Sequence, residues 1–323
     1  MNKLIFPGVS KAVCLYAGKR LKLTIFAGLT ILSGVGISST QGAVWYLQNS
    51  LASGQSITTP GFWYTTPTSG TGTPATSFNA SDIYDTNGKL ARTNSGGMTS
   101  FEGGTLISSG GNAGVVALKG LGITVANFQT AASGGSISNS EGGVTFTTTT
   151  MTLNGDLTLG NNGRVSAEPK ARTMSVSATT LTGSGNMTLY GGPTGFITLG
   201  FGDASGYTGT IFSTDEGFID FGSSFATNGG LSLAAGTRVQ SFDGITVSFT
   251  SLNIAGTIVG PGTYSFADLR AIDPLIFNPS GTGGVGFGTI IVVPEPSTWM
   301  LIGAAGTFLM VIRLRRATGR ETV

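Results

Sequence analysis

Val144-Thr145-Phe146 and Leu157-Thr158-Leu159, with Asn154-Gly155 between them, carry the pattern that decides the fold. Each triplet has apolar outer residues and a hydroxyl-bearing middle one, the alternation of a strand with one buried face. The pattern returns at Ile219-Asp220-Phe221, Leu231-Ser232-Leu233 and Val247-Ser248-Phe249. Most copies are closed by Gly or Asn-Gly, as at Asn154-Gly155, Asn162-Gly163 and Asn228-Gly229-Gly230. Such residues accept the positive φ of tight turns at little steric cost. No stretch between 44 and 296 sustains a helical apolar period. The chain reads as all-β, made of many short strands. A β-sandwich and a parallel β-solenoid (β-helix) both fit. The Thr, Ser, Asn and Gly content and the lack of strong two-residue hairpin signals favour the solenoid, although no strict internal period is visible.

Leu181-Thr182-Gly183-Ser184-Gly185-Asn186-Met187-Thr188-Leu189 resembles the L-x-G-x-G-x-L-x-L opening of the autotransporter-associated β-strand repeat, with Met187 in place of one leucine. Ser205-Gly206-Tyr207-Thr208-Gly209-Thr210-Ile211 is similar to a second element of that repeat, without its usual asparagine. The resemblance, over residues 179–262, implies a right-handed parallel β-helix of the kind found on bacterial surface proteins. Each Gly is then expected at a corner, and each Leu, Met, Tyr or Ile in the interior.

Residues 43–100 differ in composition. Trp45, Tyr46, Phe62, Trp63 and Tyr64 cluster among Pro60, Pro67 and Pro74. This region is expected to cap the open end of a solenoid body spanning 101–292, as exposed repeat ends require. The alternative is a sugar-stacking platform made by Trp45, Trp63 and Tyr64. Gly262-Thr263-Tyr264, Leu269 and Gly286-Phe287-Gly288-Thr289-Ile290-Ile291-Val292 read as closing strands.

The two ends have other work. Lys3, Lys11, Lys19, Arg20 and Lys22 precede an apolar run from Leu23 to Ile37, followed by small residues. That order is a secretory signal, residues 1–42, with cleavage expected after Gly42; a retained N-terminal anchor is the alternative. The partners implied are the Sec translocon and signal peptidase. Cys14, the only cysteine, lies ahead of the apolar run, so a processed chain has no thiol and no disulfide. At the other end, Val293-Pro294-Glu295-Pro296-Ser297 leads into the uncharged residues 298–312 and then Arg313, Arg315 and Arg316. A span of 15 residues is shorter than the ~20 that usually cross a bilayer. The arginines act as a stop-transfer flank, leaving 318–323 as a cytoplasmic tail.

This tripartite tail, residues 293–317, resembles the PEP-CTERM sorting signal of Gram-negative bacteria. The resemblance implies an exosortase as partner, cutting near Pro294, Glu295, Pro296 and Ser297. It also implies an inner-membrane-anchored intermediate and a final place at the cell surface or in an extracellular polysaccharide matrix, with exopolysaccharide as a further partner. An ordinary C-terminal anchor behind a Pro-Glu-Pro linker is the alternative.

Residues 44–296 hold eight basic and fourteen acidic residues, a net −6. The chain's overall +2 comes from its ends. A mildly acidic body with no basic stripe is not a nucleic-acid binder. Histidine is absent, which excludes imidazole bases, Ser-His-Asp triads and histidine metal sites. Asp215, Glu216 and Asp220, with Asp203 nearby, are the densest acids, and Lys170, Arg172 and Arg238 are the bases a lyase would draw on. Gly283-Gly284-Val285-Gly286-Phe287-Gly288-Thr289-Ile290-Ile291 has the glycines of a calcium nonapeptide but Gly288 where the ligating aspartate belongs. No metal and no cofactor is expected. The reading is a non-catalytic structural or adhesive protein. A polysaccharide-active β-helix enzyme and a carbohydrate-binding surface protein are the alternatives.

Overall fold

The structure is a computed structural model that describes residues 42–160, 173–191, 195–214, 217–239, 244–277 and 288–294. All of them belong to one compact unit, Gln41–Val323. The expected signal segment, apart from Gly42, lies outside them, as do residues 295–323.

The described chain winds into a parallel β-solenoid of about seven turns. One ten-stranded sheet takes, in spatial order, Trp63–Tyr64, Val44–Leu47, Ile83–Asp85, Thr99–Ser108, Gly122–Thr130, Val144–Leu153, Met174–Gly183, Phe196–Tyr207, Phe218–Phe221 and Arg238–Val239. A nine-stranded sheet runs from Ala91–Arg92 through Val115–Leu118, Gly135–Asn139, Leu157–Gly160, Met187–Tyr190, Thr210–Ser213, Gly230–Leu233 and Ser251–Ile254 to Thr257–Val259. A third sheet orders Phe225–Ala226, Thr246–Phe249, Thr289–Val292 and Gly262–Ser265.

The long strands explain the third sheet. Val144–Leu153 alternates buried and outward residues up to Thr148, then turns two neighbours outward, Thr149 and Thr150, before Met151 points in again. Met174–Gly183 makes the same skip at Thr179 and Thr180. The first of each pair, Thr149 and Thr179, has no ladder partner, since register runs Ala178↔Thr148 and then Thr180↔Thr150. A lost phase in a two-residue alternation is a corner, formed here without glycine. In the later rungs the two limbs become separate strands: Phe218–Phe221 continues one, and Phe225–Ala226 continues the other beside the bridge Ala204↔Thr227.

The interior is filled by stacked equivalents. Leu157, Met187, Ile211, Leu231 and Leu252 are successive register partners, each at most 1% exposed. Their spacings are 30, 24, 20 and 21 residues. Successive rungs thus use unequal lengths of chain.

Beside this column stand Gly155, Gly185, Gly209 and Gly229. A Cβ on Gly185 would lie 2.1 Å from the carbonyl oxygen of Gly155. One on Gly209 would lie 2.2 Å from that of Gly185, and one on Gly229 1.9 Å from that of Gly209. None of the four has a positive φ. The expectation that Asn154-Gly155 and Asn228-Gly229 supply left-handed turns is therefore corrected. Glycine sits there because each rung's backbone rests on the one below. Gly183, at φ 105, is the corner where backbone freedom is needed.

Both ends abandon parallel stacking. Trp63–Tyr64 pairs antiparallel with Val44–Leu47, which itself stacks parallel on Ile83–Asp85. At the far end Thr257–Val259 and Gly262–Ser265 pair antiparallel with Ser251–Ile254 and Thr289–Val292. The first of these hairpins turns on Ala255 and Gly256, both at positive φ, a two-residue turn that the sequence does not announce with Asn-Gly. A seven-residue helix, Phe266–Ile272, follows, where Leu269 was expected in a strand. Ser265 and Asp268 form its reciprocal capping box, and those hydrogen bonds hold the Asp268 carboxyl below its ordinary pKa. Seven residues hold too few turns to show a period. Phe266, Leu269, Ile276 and Phe277 close the core.

Candidate functional site

The last described strand leads straight into the Pro-Glu-Pro sequence. Thr289–Val292 lies between Thr246–Phe249 and Gly262–Ser265, with Ile290 and Val292 buried. The Val293 N–H still donates to the Phe249 carbonyl at 2.8 Å. Pro294 has no N–H to continue the ladder, so strand pairing ends there. No linker separates core from motif. Val293 and Pro294 border a shallow depression of about 150 Å³ lined by the uncharged Ser205, Ala226, Thr227, Asn228, Ser248 and Thr250. Glu295, Pro296, Ser297, the stretch 298–312, Arg313, Arg315 and Arg316 lie outside the described residues. Among the described residues, no helix is long and apolar enough to cross a membrane.

The aromatic residues of the N-terminal region differ in burial. Trp63 is fully buried, edge-on to Tyr84 and Phe101 at centroid distances of 5.3 and 6.0 Å, with its indole N–H donating to the Ile57 carbonyl. The alternative of sugar stacking does not suit Trp63, because a ring plugging the first rung has no free face. Trp45 is half-buried and donates to Asp82 at 2.8 Å. Tyr64, also half-buried, pairs with Tyr46 and bridges to Pro74.

Two of the candidate acids are among the described residues, on different limbs of the stack. Asp220 lies opposite Thr198 on the first limb, and burial raises its pKa against smaller opposing effects from the Phe221 backbone and the Thr198 hydroxyl. Asp203 lies past the corner, opposite Thr180 and exposed; hydrogen bonds from the Ser205 side chain and backbone lower its pKa. Arg238 sits with its guanidinium 5.4 Å from the Phe218 ring centroid. Asp215, Glu216, Lys170 and Arg172 lie outside the described residues. Among those described, no three His, Cys, Asp or Glu side chains converge as cation ligands.

Two depressions elsewhere have no counterpart in the sequence pattern. One, of about 420 Å³, runs along the corner from Thr147 past Ser177 to Gly200 and Gly222, where outward side chains shrink rung by rung. The other, of about 540 Å³, lies beside Phe78 and Glu102. Both depend on register between rungs, which the sequence leaves open.

Residues 292–316 match the PEP-CTERM protein-sorting motif. The motif marks an exported chain handed to an exosortase at the membrane. No curated protein and no solved structure matches the chain.

Proposed function

We propose that this chain is a non-catalytic structural or adhesive element of the extracellular polysaccharide matrix. The Sec translocon exports it, and signal peptidase removes residues 1–42. Residues 298–312 then hold it in the inner membrane, with Arg313, Arg315 and Arg316 on the cytoplasmic side. An exosortase reads Pro294-Glu295-Pro296-Ser297 and releases or transfers the solenoid to the surface. The observation that carries this reading is the match to the sorting motif over residues 292–316, joined without a linker to a core strand. Asp203 and Asp220 stand on different limbs of the stack, which favours a body that binds or spaces rather than catalyses, because glycosidic cleavage needs two carboxyls facing one bond.

Intact-mass analysis of the exported protein tests this, using cells with and without an exosortase. A C-terminus near Pro294 that depends on the enzyme is the expected result. The same uncut C-terminus in both strains refutes it.

A further inference from the structure

The C-terminal layer of the solenoid shows an unusual amount of apolar surface. Ile258 is 81% exposed, Leu275 74% and Ile272 39%. All three belong to segments that cover the end of the stack. Ile258 lies on Thr257–Val259, the outermost strand of its sheet. Leu275 adjoins Ile276, whose carbonyl accepts from Val239 on the outermost strand of another. Ile272 ends the helix that Ser265 caps, and Ser265 lies opposite Thr289. Val259, Phe266, Leu269, Ile276 and Phe277 point inward from the same segments and are buried. The layer therefore carries large apolar side chains outward as well as inward, which folding alone does not require.

The occupant follows from the tether. Val292 is the register partner of Gly262, so Pro294 leaves the body at this layer. The apolar stretch begins at Thr298, four residues on. Four residues span at most about 14 Å. The headgroup zone of one leaflet is itself about 5–7 Å thick. While the tail is in the membrane, this layer is therefore held within about 10 Å of the lipid surface. The geometry points to a membrane-docking face: Ile258, Ile272 and Leu275 rest in the headgroup–acyl boundary, seating the solenoid end-on against the bilayer before the exosortase acts. The inference rests on the reading of 298–312 as a membrane segment. Asp268, Arg270 and Asp273 lie near the apolar side chains in sequence with a net charge of −1, so the docking is carried by the apolar side chains and not by attraction to anionic headgroups.

The test uses the full chain in vesicles of phosphatidylethanolamine and phosphatidylglycerol. Cys14, the only native cysteine, is replaced by serine. Single cysteines at Leu275, Ile258 or, as a far-end control, Ser69 carry an environment-sensitive fluorophore. The expected result is quenching by lipid-borne quenchers at 275 and 258 and none at 69. Introducing Ile258→Asp into the chain labelled at 275 abolishes that quenching while the chain stays in the vesicles. Because both side chains face outward, these changes leave the core intact, and far-UV circular dichroism verifies it. A vesicle-bound chain whose label at 275 is as open to aqueous iodide as that at 69 overturns the docking and leaves the anchor standing. A label shielded from iodide yet not quenched from lipid indicates a second copy and overturns the lipid assignment. A chain that stays in the aqueous phase overturns the anchor, and the docking with it.

Discussion

Gly209→Ala tests the stacking directly. The added Cβ would lie 2.2 Å from the Gly185 carbonyl oxygen and 2.8 Å from both the Gly185 carbonyl carbon and the Tyr207 hydroxyl. The first two contacts are backbone, held by ladders to rungs on either side, so no side chain can swing away. Relief requires separating two rungs by about 1 Å at a corner, at an overpacking cost near the top of the usual 1–3 kcal/mol. A loss of about 3 kcal/mol lowers the unfolding midpoint of a domain this size by roughly 6–12 °C. Gly200→Ala is the matched control. Its Cβ would meet nothing nearer than 3.7 Å, and its φ is likewise not positive. It should be neutral or stabilise by about 0.5–1 kcal/mol, as alanine does in place of strand-interior glycine. Thermal unfolding of both variants followed by far-UV circular dichroism separates the two outcomes. Equal midpoints would refute the reasoning, since they would mean that the glycine column is a matter of composition and not of contact.

Ala255 holds a left-handed φ of 49° in a two-residue turn. Ala255→Asn should raise stability by about 1 kcal/mol in denaturant unfolding, because asparagine tolerates that conformation better. Trp63→Ala, emptying the aromatic plug, should cost about 3–5 kcal/mol by the same assay. Asp220 gives a pH signature of defined sign. Its folded pKa is raised by burial, so the folded state holds the proton longer. Stability from this group is present below the unfolded value of about 3.9 and falls as pH rises through the folded value. Midpoints measured from pH 3 to 7 should show that fall, and Asp220→Asn should remove it. Asp268 runs the other way: its lowered pKa makes its contribution present above the ordinary value and lost as pH falls. The Ser265 amide resonance should report that loss.

Much of the fold was legible in residue alternation. Val144-Thr145-Phe146 and Leu157-Thr158-Leu159 point inward and outward as their pattern requires. What alternation cannot carry is register between rungs. The inward column from Leu157 to Leu252 repeats at 30, 24, 20 and 21 residues, so a search for a fixed period finds none. Thr149-Thr150 and Thr179-Thr180 are corners with no turn residue, marked only by a lost phase. Gly155 and Gly229 were legible as necessary glycines but for another reason, since their neighbours lie more than twenty residues away in sequence or nearly so. The buried face of Trp63 was equally out of reach: an aromatic residue beside prolines reads alike as plug or platform until Tyr84 and Phe101 are placed against it. The sorting junction was plain because its three parts are contiguous in sequence.

Parallel stacking also makes the body a ruler. Strands one above another are about 4.8 Å apart, so about seven turns set the aromatic-plugged end some 34 Å from the layer where Pro294 leaves. Adding or deleting one rung would move that end by a single step without disturbing either closure, because each rung touches only its neighbours. Height above the sorting junction is thus quantised, and it can change by duplication of some twenty residues at a time.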